Sequence, residues 1–399
     1  MMSSYSPPSN PRPHRPVLNT FLFLALLASA PALPGKDLPP DIQAASDQRR
    51  AEIPLGGNFQ PSPEAPVFVA VGHGPRVLIS RDDGKTWDEA FFGFPGSDHS
   101  AWATRSVAIS DGLLVVPTGW YGPSSYLASE DGKKWHHLTD GATTVEDKED
   151  PTIMPPVWGA AGGNGTFVFG GYVEMVATPD MGKTWHTFNV RSFRDDPRPR
   201  KLSTHHVTPL YCGDATGRFL ALGNDRAKEN KVFGNLFATD DQGVTWRWLE
   251  PELLNEQCEG YSGMESNGQV VVLVDKRGQN AFRSLDAGET WEGPFPTGIG
   301  EAKRATLSRA GNSFTISNDA GAAGSADGKT WHPLPDTMPE GKIAASPEGT
   351  LIALDRQRIL RSTDQGETWE EVYAYEIPEE WHVKGGQHLR DLTFGYLSP

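Results

Sequence analysis

Apolar residues in this chain come in short runs that turn-forming residues separate. Runs such as Val67–Val71 and Val77–Ile79 are each followed by a polar segment rich in Gly and Asp. Runs of this length, bounded by turn residues, predict buried β-strands rather than helices. Three such strands, A, B and C, recur in the same order along the chain. They are predicted at 105–110, 113–116 and 126–128 in the second unit and at 342–346, 351–354 and 359–361 in the last.

A polar motif follows strand C in every unit, and its first copy is Ser80-Arg-Asp82-Asp-Gly84-Lys-Thr86-Trp87. Its Ser or Thr and its Asp can accept hydrogen bonds from nearby N–H groups and so close a turn. Glycine then allows a positive φ, and the Trp opens a fourth strand, D, with a large surface to bury. The seven copies end at Trp87, Trp135, Trp185, Trp246, Trp291, Trp331 and Trp369, and those ending at Trp135 and Trp331 are one residue shorter.

The spacing of the motifs predicts the fold. Successive closing tryptophans are 48, 50, 61, 45, 40 and 38 residues apart, which is typical of propeller blades with four strands each. The first unit lacks a strand A, because Phe59–Pro66 is too rich in proline. The segment His388–Gly395 has no strands B, C and D of its own. The sequence therefore predicts an all-β, seven-bladed propeller that the C-terminal strand closes by joining blade one.

The seven motifs resemble the Asp-boxes, or BNR repeats, of the sialidase superfamily, over roughly residues 66–395. The chain also resembles the single-ring photosystem II assembly factors. The resemblance implies that ligands bind on the face with the D–A and B–C loops, opposite the motif turns. Because this fold carries enzymes and binding proteins alike, no single activity follows from it. The motif aspartates are accordingly interpreted as structural: Asp82, Asp131, Asp180, Asp241, Asp286, Asp327 and Asp364.

The residues that open the innermost strands are the candidate ligand-binding set: Arg105, Trp158, His206, Tyr261, Arg304, Lys342 and His388. Five of them are basic or histidine, and around one channel mouth they would attract a carboxylate or sulfate group. The competing interpretation is that each ends a strand in solvent or pairs with a loop acid. Aromatic residues on the same face, among them Tyr172, indicate a surface for sugar rings or simple packing between blades.

Catalytic residues are harder to assign. Sialidases carry an Arg-Ile-Pro motif, an arginine triad, a Tyr–Glu nucleophile pair and an Asp acid. This chain has Arg50-Ala-Glu-Ile-Pro54 instead, and it has no secure third arginine beside Arg105 and Arg304. The catalytic candidates are therefore weak ones, namely Asp98, His99, Tyr261 and Glu265. A glycoside hydrolase or lyase acting on an acidic polysaccharide, and a non-catalytic protein-assembly scaffold, stay open as alternatives to simple binding.

The composition of the chain limits the classes of partner that are expected. Lys and Arg number 36 against 51 Asp and Glu, a net charge of −15, which disfavours a nucleic-acid partner. No phosphate loop, metal motif or nucleophile elbow occurs, so no cofactor or metal is expected. The expected partner is a carbohydrate or a small anionic ligand, with a protein as the alternative, and the chain is expected to be a monomer.

The N-terminal segment predicts export. It combines Arg12 and Arg15 with the apolar run Phe21–Leu27 and small residues up to Ala30 or Ala32. This pattern is typical of a signal peptide over 1–32, and it is too short to predict a membrane span. A leader is predicted over 33–65 and the propeller over 66–399, in a secreted or periplasmic protein. Cys212 and Cys258 are predicted to be buried free thiols, because their strand ends lie too far apart for a disulfide.

Overall fold

The computed structural model describes residues 65–72, 76–91, 104–118, 125–140, 157–190, 192, 204–225, 235–258, 260–302, 304–376 and 388–397. The predicted signal peptide and nearly all of the leader, and the candidates Asp98 and His99, lie outside these residues. The described strands form seven four-stranded antiparallel sheets. The predicted seven-bladed propeller is thus confirmed.

Each blade has the strand order A-B-C-D from its inner to its outer edge. The strands are β28 (Leu389–Leu397), β1 (Ala65–Gly72), β2 (Arg76–Ser80) and β3 (Asp88–Phe91) in blade 1; β4 (Ala108–Ser110), β5 (Leu113–Thr118), β6 (Ser125–Ser129) and β7 (His136–His137) in blade 2; β8 (Gly159–Gly163), β9 (Thr166–Gly170), β10 (Glu174–Thr178) and β11 (His186–Asn189) in blade 3; β12 (Thr204–Tyr211), β13 (Phe219–Asp225), β14 (Asn235–Thr239) and β15 (Arg247–Leu249) in blade 4; β16 (Tyr261–Ser266), β17 (Val271–Asp275), β18 (Asn280–Ser284) and β19 (Glu292–Pro296) in blade 5; β20 (Thr306–Ala310), β21 (Ser313–Asn318), β22 (Gly321–Ser325) and β23 (His332–Pro333) in blade 6; and β24 (Ile343–Ala345), β25 (Leu351–Asp355), β26 (Arg358–Ser362) and β27 (Glu370–Ala374) in blade 7.

One short helix, α1 (Glu252–Gln257), joins blades 4 and 5, and the sequence patterns did not predict it. It buries Leu254 in the apolar cluster that also holds Cys212 and Cys258. Both cysteines are buried and free, as predicted. Burial raises the pKa of Cys212 to about 12, so this thiol stays protonated and unreactive at neutral pH.

Strand β28 closes the ring. It pairs antiparallel with β1, with Ala65 opposite Leu397 and Phe68 opposite Phe394. The rings of Phe68 and Phe394 meet edge to face with their centroids 5.0 Å apart. The predicted closure by the C-terminal strand is therefore confirmed, and blade 1 has no unpaired inner edge.

The apolar core lies between neighbouring blades. Strands β5 and β9 are buried along their whole length, because each middle strand packs against blades on both of its faces. One cluster joins Val115 and Tyr126 of blade 2 to Phe169 and Trp185 of blade 3. This two-sided burial explains why the chain shows continuous apolar runs instead of alternating ones.

The motif turns close as their residue types predict. In the first copy, Asp82 Oδ1 accepts the Thr86 N–H at 2.9 Å, and Asp82 Oδ2 accepts the Thr86 hydroxyl at 2.7 Å. Ser80 Oγ accepts the Gly84 N–H at 2.9 Å, and Trp87 Nε1 donates to Gly84 O at 3.2 Å. The aspartate is thus fully engaged in the turn that presents the buried Trp.

The long and short copies of the motif differ in backbone conformation. In the long first copy, Asp83 and Gly84 have φ of 58° and 81°, whereas in the short second copy only Gly132 has a positive φ, of 66°. The shorter turn compensates by donating two neighbouring N–H groups, from Lys133 and Lys134, to Asp131 Oδ1, each at 2.8 Å. One residue is deleted without loss of the Asp-centred turn.

Each motif glycine lies against the preceding blade. A Cβ on Gly243 would overlap Ala177 of blade 3, and one on Gly84 would overlap Ile352 of blade 7. Four arginines add hydrogen bonds between neighbouring blades, each to the carbonyl that precedes a motif glycine. These bonds are Arg81 to Asp131 O (2.6 Å), Arg218 to Ala287 O (3.1 Å), Arg283 to Asp327 O (3.1 Å) and Arg361 to Asp83 O (2.8 Å). The motif turns therefore connect adjacent blades as well as strands C and D.

Replacement of Gly243 by Ala should destabilise the propeller by about 2–4 kcal/mol, because it combines a strained positive φ with an overlap at the blade interface. Gly298 provides the matched control, since its φ is +76° but no atom lies within 4 Å of its Cβ position. Gly298→Ala should cost only about 1 kcal/mol of backbone strain. Urea denaturation measures both, and equal costs would contradict the interface role of the glycine.

Asp327 should make stability depend on pH. Burial acts to raise the pKa of Asp327, but the N–H groups of Thr330 and Lys329, the Ser325 hydroxyl and nearby Arg283 outweigh it, so its pKa lies below its ordinary value. The stabilisation by its carboxylate is therefore complete above about pH 4 and is lost as the pH falls through the lowered pKa.

The difference in unfolding free energy between wild type and Asp327→Asn should consequently shrink as the pH falls from 6 to about 3. Exposed Asp336 serves as the control, and Asp336→Asn should show no comparable trend. Denaturation curves along a pH series give the answer, and a pH-independent Asp327→Asn difference would contradict this account.

Candidate binding site at the channel mouth

The innermost strands begin at the end of the propeller that carries the D–A and B–C connections. The seven predicted ligand-binding residues all lie within three positions of the first residue of an innermost strand. Trp158 shows how the backbone places such a residue, because its N–H donates to Gly170 O at 2.7 Å and so fixes the chain just before β8. The fold thus brings the set to one end of the ring, although its members have different surroundings.

β-Bulges interrupt three of the innermost strands near this end. His205 in β12, Ser262 in β16 and Arg390 in β28 are each skipped by the register that pairs the residues on either side. A bulge turns the following side chains to the opposite face and often occurs beside a functional site. Opposite Arg390, Gly72 permits the close approach, because a Cβ there would lie 2.8 Å from His388 O.

Blades 2, 3 and 4 form an aromatic and cationic stack. The Arg105 guanidinium lies 4.4 Å from the ring centre of Trp158, and the rings of Trp158 and His206 are 3.7 Å apart. Tyr172 contacts both, with centroid distances of 5.5 Å to Trp158 and 5.1 Å to His206. Its side chain is 37% exposed. Three predicted residues are thus brought together, and Tyr172 is the ring in the stack most open to a ligand.

Lys342 is part of a charged network inside the channel. Its ammonium forms an ion pair with Glu265 across the ring, from blade 7 to blade 5. Asp391 of blade 1 accepts the Ser106 hydroxyl at 3.0 Å and the Val107 N–H at 3.1 Å. The network joins four blades. It also means that the charge of Lys342 is compensated within the protein, by an acid of another innermost strand.

The pKa values in this network follow from burial and from the shared ammonium. Burial acts to lower the pKa of Lys342, but the carboxylates of Glu265 and Asp391 outweigh it and raise the pKa. Burial raises the pKa of Asp391, and the nearby Lys342 ammonium offsets this only in part. Lys342 therefore stays protonated at neutral pH, pairs with Glu265 and partly compensates Asp391.

Tyr261 and Glu265, proposed as a catalytic pair, lie on different sides of β16. Tyr261 and Met264 both pack on the cluster between blades 4 and 5, because the bulge at Ser262 changes the alternation of side chains. Glu265 follows Met264 and reaches Lys342 instead. The sequence could not show this separation, since a spacing of four along a regular strand places two residues on the same face.

The remaining predicted residues occupy other surroundings. Arg304 is exposed, and no contact of its side chain is observed within the described part of the chain. His388 is half-buried beside Arg390 and Arg356, at the interface of blades 7 and 1. At the same interface Arg76 lies 3.7 Å from the Tyr375 ring centre. Arg76 and Arg390 were not predicted, because a strand C residue and a bulged residue carry no repeat signal.

The loop acids at the B–C corners have structural partners. Asp275 accepts the N–H groups of Arg277 and Gln279 at 3.1 and 3.0 Å, and Asp355 forms an ion pair with Arg358.

In the described residues, no group of three or more His, Cys, Asp and Glu is arranged to hold a metal ion. Nor does any described helix have the length and apolar character needed to cross a membrane.

Comparisons with known proteins add a fold likeness only. No family model and no curated protein matches the chain. Among solved structures it is similar to a GH74 xyloglucanase from Xanthomonas campestris, at 14% identity and a TM-score of 0.49, over 87% of this chain and 55% of that one. It is also similar to YCF48 from Cyanidioschyzon merolae, at 14% identity and a TM-score of 0.46, over 68% and 85% of the two chains. The chain thus spans about half the length of the xyloglucanase.

A double-mutant cycle of Lys342→Met and Glu265→Gln should reveal a coupling of about 1–3 kcal/mol, because each single change leaves a half-buried charge without its partner. The double variant should then be more stable than the sum of the single effects implies. The pair Arg277 and Glu301, which is exposed on both sides, should couple by less than about 1 kcal/mol. Additive effects of the channel pair would show that its ion pair contributes nothing.

Proposed function

We propose that this propeller binds a saccharide or another small anionic ligand at its channel mouth. The stack of Arg105, Trp158, His206 and Tyr172 carries the proposal. Trp158 and His206 hold the Tyr172 ring in place, and Tyr172 remains partly exposed. A ring that is fixed before binding loses little conformational entropy when a ligand packs on it. The apolar C–H face of a sugar ring is a suitable partner for such a surface.

Binding is favoured over hydrolysis by the channel network. Glycoside hydrolysis needs two carboxyl groups that flank the scissile bond, one of them free to act as an acid. Of the carboxylates in the channel network, Glu265 forms an ion pair with Lys342, and Asp391 accepts hydrogen bonds from Ser106 and Val107. Tyr261, the other described candidate, packs toward blade 4. The geometry therefore supports recognition of a ligand rather than cleavage.

Tyr172→Ala should weaken the binding of oligosaccharides by about tenfold, a loss typical of a ring that contributes its packing face. Tyr172→Phe should bind as the wild type does if the face of the ring is what matters. Tyr396 is the matched control, because it is a tyrosine of equal exposure, 38%, at the far end of an innermost strand. Tyr396→Ala should have no effect.

The measurement is a glycan-array screen with neutral, uronate-containing and sulfated oligosaccharides, followed by calorimetry on the best ligand. The same mixtures, incubated and analysed by mass spectrometry, show whether any bond is cleaved. Product formation would favour the hydrolase or lyase alternative. Absence of binding to every glycan, or equal binding by the Tyr172→Ala and Tyr396→Ala variants, would overturn the proposal.

A further inference from the structure

Arg390 is a half-buried cation that no carboxylate among the described residues neutralises. The bulge in β28 places it at the interface of blades 7 and 1, near Tyr375. Its Nε is buried and has no hydrogen-bond acceptor, and no described carboxylate forms an ion pair with it. A buried charge without a partner is costly, and most buried polar groups in folded proteins are satisfied. The residue therefore points to an acceptor that comes from outside the chain.

Two further basic side chains, His388 and Arg356, lie near Arg390. The backbone N–H of Leu389, the residue between His388 and Arg390, donates to Arg356 O at 2.8 Å. This bond brings the turn that carries Arg356 next to the start of β28. His388 Nδ1 is also buried without an acceptor. Arg390 and Arg356 thus both act on His388, and their charges disfavour its protonated form.

The carboxylates at this interface have other partners. Asp355 pairs with Arg358. Glu89 accepts the Tyr373 hydroxyl at 2.7 Å and lies 3.5 Å from Arg76 Nε. Neither neutralises Arg390. A chain with 51 acidic residues has nevertheless placed none of the described ones against this guanidinium.

A groove lies beside Arg356. It has a volume of about 680 Å³, and its walls carry Arg356 and Arg358, the acidic Glu340 and Asp355, and the apolar Met338, Pro339 and Leu360. Volumes of about 300–1,000 Å³ are usual for small-ligand sites. Arg356 lies on its wall and also interacts electrostatically with His388, so it links the groove to the buried part of the interface.

We propose that Arg356, His388 and Arg390 form an anion subsite, which takes the carboxylate or sulfate group of an acidic saccharide lying in the adjacent groove. The saccharide part of this inference rests on the proposed function, whereas the anion subsite stands on its own geometry. A guanidinium provides paired N–H donors that match both carboxylate and sulfate. The imidazole of His388, once protonated, adds a second charge beside it.

The test measures sulfate binding, and then trigalacturonate and neutral galactotriose binding, by calorimetry on the full chain. Arg390→Met should weaken sulfate and trigalacturonate binding by about tenfold or more, because it removes charge-assisted hydrogen bonds. Without ligand, the same variant should unfold at a higher temperature than the wild type, since an uncompensated buried charge has been removed. A purely structural arginine would give the opposite change in stability.

Arg277→Met is the control, because Arg277 lies at the B–C corner of blade 5, as Arg356 does in blade 7, and is already paired with Glu301. It should leave sulfate affinity unchanged. If Arg390→Met does not fold, the exposed Arg356→Gln decides instead and should also weaken sulfate binding. Unchanged sulfate affinity in the deciding variant, or a wild type that does not bind sulfate, overturns the subsite.

The His388 imidazole gives an independent readout. Burial lowers the pKa of His388, and the charges of Arg390 and Arg356 lower it further against the opposing effect of Asp355. An anion bound among these groups should raise this pKa, and so should Arg390→Met without ligand. Side-chain NMR titration measures both shifts, and an unchanged His388 titration on addition of sulfate contradicts the proposal.

The two proposals fail in different ways. If sulfate binds through Arg390 but no saccharide binds, the function proposed above is wrong and the anion subsite stands. If saccharides bind through Tyr172 while Arg390→Met binds them normally, the subsite is wrong and the function stands.

Discussion

The close contact between each motif turn and the blade before it is the constraint on which the propeller depends. A four-stranded sheet buries its middle strands only when a neighbouring sheet covers each face. The motif glycines allow that cover to come close, since a side chain at Gly243 or Gly84 would overlap the preceding blade. Strand β28 gives blade 1 the same environment as the others. Because the ring is closed, each of the seven blades has a neighbour on both faces, and among the described strands no blade exposes an apolar face to solvent.

This arrangement separates the two ends of the ring. At the motif end, hydrogen bonds from Asp, Ser and Thr engage nearly every polar group of the turns, so these residues are committed to structure. At the other end, the innermost strands begin with side chains of different kinds, and three of them carry bulges. Some of these side chains also connect blades, as Lys342 does with Glu265, but no repeated motif fixes their identity. Chemistry that differs from blade to blade therefore collects at the channel mouth.

The sequence predicted most of the fold and only part of the site. The repeated Trp spacing predicted seven blades, because each motif closes one blade. The proline-rich segment before Val67 predicted the closure, because it cannot form an innermost strand. The meeting of Arg105, Trp158 and His206 also follows from equivalent strand positions. The separation of Tyr261 from Glu265 could not be predicted, since a β-bulge changes the alternation of side chains along a strand and leaves no signal in the residue types. The pairing of Lys342 with Glu265 joins blades 7 and 5. Residues this far apart in the chain cannot be identified as partners from the sequence alone.

A comparison of two arginines shows how much the surroundings of a charge reveal about its role. Arg218 is fully buried, and the chain gives it Asp240 at 2.6 Å, Glu289 at 2.7 Å and the carbonyl of Ala287 at 3.1 Å. The protein thus gives a buried arginine two carboxylate partners where its role is to join blades 4 and 5, although Arg218 Nη2 has no hydrogen-bond partner among the described residues. Arg390 lies at the interface of blades 7 and 1, where no described carboxylate pairs with it and Arg356, beside His388, adds positive charge. Since folding alone gains nothing from that arrangement, the difference between the two residues is best explained by a ligand that supplies the missing negative charge.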